Sequence, residues 1–236
     1  MLDLAVVIHH SSYHNPAPHT PLVDLLKAVG INAYHPQLPT SDLTRLNVGD
    51  TSNPDFDREP PSGGYPQGPD DAETILGILN PLILEGKRVL IVGHSVGGWV
   101  ATDVAKPELQ EKTRGAQSLA GGIIRTFYIS AFIVPVGKHM ASFLKYQSKE
   151  GSFIVPPFLE LHKGLATPKD AEKFSFSDLE PNVAQKWAAT LTYCISSSFD
   201  CDTIERPLRH DRGLAKGFQE TMVPLQAQRT GNSTLF

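Results

Sequence analysis

Basic excess, paired cysteines and long apolar runs are all missing from this 236-residue chain. Its 21 lysines and arginines are outnumbered by 25 aspartates and glutamates. The cationic surface that phosphate backbones or anionic membranes attract is therefore absent, and nucleic-acid and membrane partners are not expected. The two cysteines, Cys194 and Cys201, supply neither a disulfide framework nor a paired metal-ligand motif, which points to a reducing compartment and to packing roles for both. No apolar stretch approaches the roughly 20 residues of a membrane-spanning helix, and Asp3 stands where a secretory signal carries positive charge. An intracellular, cytoplasmic protein is expected. Charged residues at 19% and hydrophobic residues at 40% lie in the globular range, away from disordered compositions. A chain of this mass buries roughly 70% of its unfolded surface, enough for one sizeable core.

What is present is a rhythm of short buried strands and amphipathic helices. Leu4 to Ile8 (LAVVI) reads as a buried strand that breaks into a His- and Pro-rich loop, Ser11 to Pro21. Leu22 to Val29 spaces apolar residues at helical intervals and stops at Gly30. Ile31 to Tyr34 starts a second strand, and Thr40 to Pro69, rich in Asp, Pro, Gly and Asn, reads as a long surface loop. Asp70 or Asp71 is expected to cap the next helix, which Pro81 kinks. Arg88 to Val92 (RVLIV) is another buried strand, Trp99 to Val104 a helix and Thr126 to Phe132 a fourth strand. Strand and helix alternate, which favours an α/β fold with a mostly parallel sheet covered by helices on both faces. Residues 138–193 break the rhythm with aromatic and Pro-containing pieces, including a helix from Pro181 to Leu191. They read as a lid inserted into a single domain spanning 1–236.

The sharpest chemical signal is Gly93-His94-Ser95-Val96-Gly97-Gly98 between a strand and a helix. The bare G-x-S-x-G pattern arises by chance in roughly one chain in ten of this length, so its context carries the reading. A nucleophilic serine needs a tight strand-to-helix turn flanked by small residues, with helix-terminal N–H groups available to a developing oxyanion. A glycine-rich phosphate turn fits less well, because neither G-x-G-x-x-G nor a P-loop lysine is present. The histidines His9, His10, His14 and His19 match no zinc-ligand spacing and read as imidazoles on a surface loop. Neither a metal nor a cofactor is expected.

With these residues the chain resembles the α/β-hydrolase superfamily, in particular the small branch of plant methylesterases and hydroxynitrile lyases with their bacterial and fungal relatives. The resemblance covers roughly the first 190 residues. It runs through the strand ending Val6-Val7-Ile8-His9-His10, the Leu38-Pro39-Thr40 loop, Asp70-Asp71, the Gly93 to Gly98 motif, and Tyr128 to Phe132 before Val134-Pro135-Val136-Gly137. It implies Ser95 as nucleophile, with the backbone N–H groups of Val96 and Ser11 as the oxyanion hole. Relatives carry glycine where this chain has His10, whose imidazole can reach substrate or act as a base. The family's acid maps onto Asp211, in a segment that lacks the family's proline and follows Thr203 to Arg209, too charged for a buried strand. Beyond it the family's histidine is not found, since His210 is the last in the chain. His210, His10 and His139 are the candidate bases, in that order.

The resemblance implies a carboxylesterase-like serine hydrolase acting on a small apolar ester, lactone or thioester in small-molecule metabolism. The pocket is expected among Phe132, Phe143, Tyr146, Phe158 and Trp187. Two other readings stand beside it: a catalytically impaired or truncated scaffold, with the sheet incomplete at its C-terminal edge, and a cyanohydrin-cleaving lyase on the same fold.

Overall fold

A computed structural model of the chain describes residues 3–132 and 157–195. Its centre is a four-stranded sheet in the order β2-β1-β3-β4, built from β1 (Leu4–His9), β2 (Asn32–Tyr34), β3 (Arg88–His94) and β4 (Gly122–Ile129). Every pairing in it is parallel. Helix α1 (Thr20–Ala28) crosses from β1 to β2, α2 (Gly68–Leu84) leads into β3, and α3 (Gly97–Val104) leaves it. The short α4 (Glu111–Ala116) precedes β4. A mostly parallel sheet with helices on both faces is thus the observed architecture.

Strand parity divides the core. Ala5 and Val7 of β1 and Val89 and Ile91 of β3 face the larger cluster, with Ile75, Leu79 and Val100 of α2 and α3. Val6, Ile8, Ala33 and Val92 face Val23 and Leu26 of α1. Near-continuous apolar strands are what a sheet buried on both faces requires.

A second, antiparallel sheet follows in the order β5-β6-β7, from β5 (Leu159–Leu161), β6 (Leu165–Pro168) and β7 (Cys194–Ile195). Two short helices, α5 (Ala171–Phe174) and α6 (Pro181–Ala188), lie between β6 and β7. The 40–69 stretch is anchored to this sheet. Leu43, Leu46, Phe56 and Tyr65 pack on Leu165, Tyr193 and Ile195, and Tyr65 Oη donates to the Lys163 carbonyl at 2.6 Å.

Three local readings are corrected. Helix α2 begins at Gly68 with Gln67 as its N-cap; the Gln67 N–H donates to Asp70 Oδ2 at 2.6 Å, so Asp70 serves from the third helical position. Asp71 is instead buried, its oxygens accepting from Thr40 N at 3.0 Å and Thr40 Oγ1 at 2.7 Å. The fourth strand runs Gly122–Ile129, because Ser130 takes φ +42°, a left-handed conformation that ends the ladder. Among the described residues no helix is long and apolar enough to cross a membrane. The expected incomplete C-terminal edge, Cys201, His139, His210 and Asp211 lie outside the described residues, as do Phe143 and Tyr146 of the expected pocket.

Candidate active site

The carboxyl edge of the parallel sheet concentrates the chain's unusual backbone. Ser95 sits between β3 and α3 at φ +54°, a left-handed conformation that costs a non-glycine residue roughly 1–3 kcal/mol. Its backbone is held from two sides: Ser95 N donates to the Ile129 carbonyl at 3.1 Å, and Phe132 N donates to the Ser95 carbonyl at 2.7 Å. The segment after β4 therefore clasps the serine peptide, and the strain is over-determined by its surroundings.

Two glycines make the corner possible. A Cβ on Gly93 would lie 2.7 Å from both the Gly97 carbonyl oxygen and Gly98 Cα, so strand and helix meet too closely for any side chain. A Cβ on Gly97 would lie 2.5 Å from the His9 carbonyl oxygen and 2.8 Å from that of His10. The first turn of α3 is thereby pressed against the end of β1. The parallel register pairs His9 with Gly93, so Ser11 and Ser95 each lie two residues beyond the same rung. The sheet brings Ser11, Ser95 and Val96 to one edge.

The β1–α1 loop that carries Ser11 is tied down on its outer side. Thr192 N and Oγ1 both donate to the Tyr13 carbonyl, at 2.6 and 3.1 Å, and Asn15 Nδ2 donates to the Thr190 carbonyl at 2.9 Å. Beneath it, the histidines expected on a surface loop are largely buried, which corrects that reading. His9 and His10 are 2% and 1% exposed, and His14 is buried as well. The His10 ring is turned toward Ser41, with Nε2 3.3 Å from Ser41 Oγ, and Nδ1 donates to the Ser11 carbonyl at 3.0 Å. On the other sheet face, His9 Nδ1 donates to the His10 carbonyl at 2.9 Å and Nε2 lies 3.5 Å from Asp71 Oδ2.

His35, just past β2, and His94, at the end of β3, were missed as partners of this group. Their rings meet those of the loop: His19 to His35 at 4.7 Å between centroids, His10 to His35 at 5.4 Å, and His14 and His19 each to His94 at 5.5 Å. Burial, reinforced by neighbouring imidazoles, lowers His19, His35 and His94 to about 4. Burial lowers His14 too, and holds His10 well below the ordinary imidazole range. Among the described residues no group of three or more His, Cys, Asp or Glu is placed to hold a metal ion.

Of the aromatics expected to line a pocket, Phe132 is part of the serine clasp through its N–H, Phe158 packs on Phe174 at 5.6 Å, and Trp187 lies under Lys186 Nζ at 5.0 Å. Cys194 is buried in β7 and its thiol is pushed up to about 12 by burial, an inert packing residue.

Comparison with known proteins agrees with this architecture. The model of the alpha/beta hydrolase family matches residues 6–221. The chain is 25% identical over 194 residues to the alpha/beta hydrolase nvfD of Aspergillus novofumigatus, covering 81% of this chain and 67% of that protein. Among solved structures it is similar in fold to a histidine variant of polyneuridine aldehyde esterase, with TM-score 0.55 at 13% identity over 87% of this chain and 74% of the other. A histidine variant of tomato methylketone synthase I bound to beta-ketoheptanoate superposes with TM-score 0.53 at 13% identity, over 87% and 74% of the two chains.

Proposed function

Since this chain belongs to the α/β-hydrolase family, we propose that it is a carboxylesterase-like serine hydrolase acting on a small apolar ester, lactone or thioester, with Ser95 as nucleophile. The observation that carries the reading is the left-handed Ser95 at the strand-to-helix corner, clasped by Ile129 and Phe132 and hemmed in by Gly93 and Gly97. Strain of this kind persists where it serves to present a side chain. This backbone supports the reading of the corner as a nucleophile elbow.

In the proposed reaction Ser95 Oγ attacks the substrate carbonyl carbon while its proton passes to an imidazole. The carbonyl oxygen becomes an oxyanion that accepts from the N–H groups of Val96 and Ser11. As the C–O or C–S bond to the leaving group breaks, the proton returns to that group, and water then repeats the sequence to release the acid. His210, oriented by Asp211, is the proposed base, and His10 supports the Ser11 loop from beneath. A hydrophobic substrate is proposed, with Phe132, whose N–H donates to the Ser95 carbonyl, as the apolar residue bordering the serine.

Labelling with a fluorophosphonate tests this. Covalent modification is expected in the natural protein and absent in Ser95→Ala; no Ser95-dependent modification, where a control serine hydrolase is labelled, would remove the hydrolase reading in favour of a non-catalytic scaffold.

A further inference from the structure

Apart from His10, which carries the Ser11 loop, the layer of imidazoles under the β1–α1 loop takes no part in the hydrolase chemistry just described. Its placement follows from strand parity. His10, His35 and His94 continue the series Val6-Ile8, Ala33 and Val92 that faces α1. His14 and His19 close over them from the loop, giving ring contacts of 4.7 to 6.0 Å. Where three strand ends would ordinarily carry apolar side chains, the protein stacks titratable rings.

Among the described residues no carboxylate pairs with a ring of the layer itself. From α1 only Val23 and Leu26 reach this face, while Asp24 and Lys27 are exposed. From the second-sheet region the ring contact with His14 is Phe176, at 6.3 Å. The carboxylate beside the group is Asp71, which lies against His9 on the opposite face, with His9 and His10 rings 5.9 Å apart. Nδ1 of His19 and of His94 is buried without a hydrogen-bond partner among the described residues. Each added proton would therefore place a charge in a buried site where neighbouring imidazoles oppose it and only loop carbonyls, such as those of Ser11 at His10 and Ser12 at His14, offset part of the burial cost.

We propose that this layer is a proton-sensitive seat for residues 10–19, on which the loop rests while the rings are neutral and from which acidification releases it. The loop's outer ties, Thr192 to Tyr13 and Asn15 to Thr190, hold a few backbone groups and leave the ring layer as its inner support. The consequence for catalysis, withdrawal of the Ser11 N–H and loss of the site at acid pH, rests on the function proposed above. The release itself does not.

The test is hydrogen–deuterium exchange of the full-length protein at pH 7.5 and 5.0, corrected for intrinsic exchange, with far-ultraviolet circular dichroism recorded alongside. Amides of residues 10–19 are expected to lose protection by about tenfold or more at pH 5.0 while the dichroism spectrum keeps its native form. In His19→Phe and His35→Phe that loss should shrink. Equal protection at the two pH values, an identical loss in both variants, or helix content lost with the same midpoint would each overturn the seat. Should the variants fail to fold, exchange of the histidine C2 hydrogens in the natural protein reads each ring directly. Midpoints below 6.5 for His19, His35 and His94 are expected, and ordinary midpoints would overturn the proposal. Because no readout uses turnover, a loop that releases in a protein fluorophosphonate does not label would refute the hydrolase reading alone.

Discussion

Asp71 Oδ2 lies 3.5 Å from His9 Nε2, with the two residues 3% and 2% exposed. The carboxylate also accepts from the Thr40 N–H and hydroxyl, and the His9 ring holds the His10 carbonyl through Nδ1. One buried acid thus joins the first turn of α2, the turn at 39–41 and the end of β1. Removing it leaves the Thr40 N–H and hydroxyl without their acceptor and empties the space beside the His9 ring. Asp71→Ala is expected to cost about 2–4 kcal/mol, and Asp71→Asn, which keeps one acceptor, less; urea denaturation at pH 7.5 measures both.

The corner at Ser95 sets a stricter demand. Gly93→Ala forces a methyl group to within 2.7 Å of backbone atoms of Gly97 and Gly98, and Gly97→Ala to within 2.5 Å of the His9 carbonyl. Neither contact is with a flexible side-chain end, so the backbone must move. Each substitution is expected to destabilise by about 3 kcal/mol or more, or to abolish soluble expression, and thermal unfolding of purified variants checks it.

The helix cap is a smaller and separable effect. Asp70→Ala removes the acceptor of the Gln67 N–H and a negative charge from the first turn of α2. The expected loss is about 1 kcal/mol, read as a shifted urea midpoint with an unchanged slope.

Acid sensitivity follows from the histidines, whose lowered values in the folded protein mean that folding favours the neutral ring. The folded state binds fewer protons than the unfolded chain between about pH 4, where His19, His35 and His94 titrate, and the ordinary imidazole value near 6.5. Stability is therefore complete above about pH 6.5 and falls as pH drops through that window, by at most about 1.4 kcal/mol per pH unit for each ring. Urea midpoints should decline from pH 7 to pH 5. A flat profile would show that the rings are not held neutral.

Much of this architecture is legible in the residues. The β-branched runs at 4–8 and 88–92 leave no helical alternative, and the glycine spacing at 93–98 is enough to put its serine at a strand-to-helix corner. Helix α4 is not legible, because Glu111–Ala116 buries no residue and so shows no apolar period. The imidazole layer was hidden for a related reason. Histidine reads as polar, yet His10, His35 and His94 fall at the next even step after Ile8, Ala33 and Val92. That parity was the available signal. The role of Asp71 could not be told from that of Asp70, since adjacent acids at a helix start both suit a cap and only packing against Thr40 and His9 separates them.

The central claim is that Ser95 forms a covalent bond to substrate. Intact-protein mass spectrometry during rapid mixing with p-nitrophenyl butyrate tests it most directly. A transient gain of one butyryl group per chain, released with a stoichiometric burst of p-nitrophenol and absent in Ser95→Ala, is the predicted result. Turnover or acylation that persists in Ser95→Ala would contradict it.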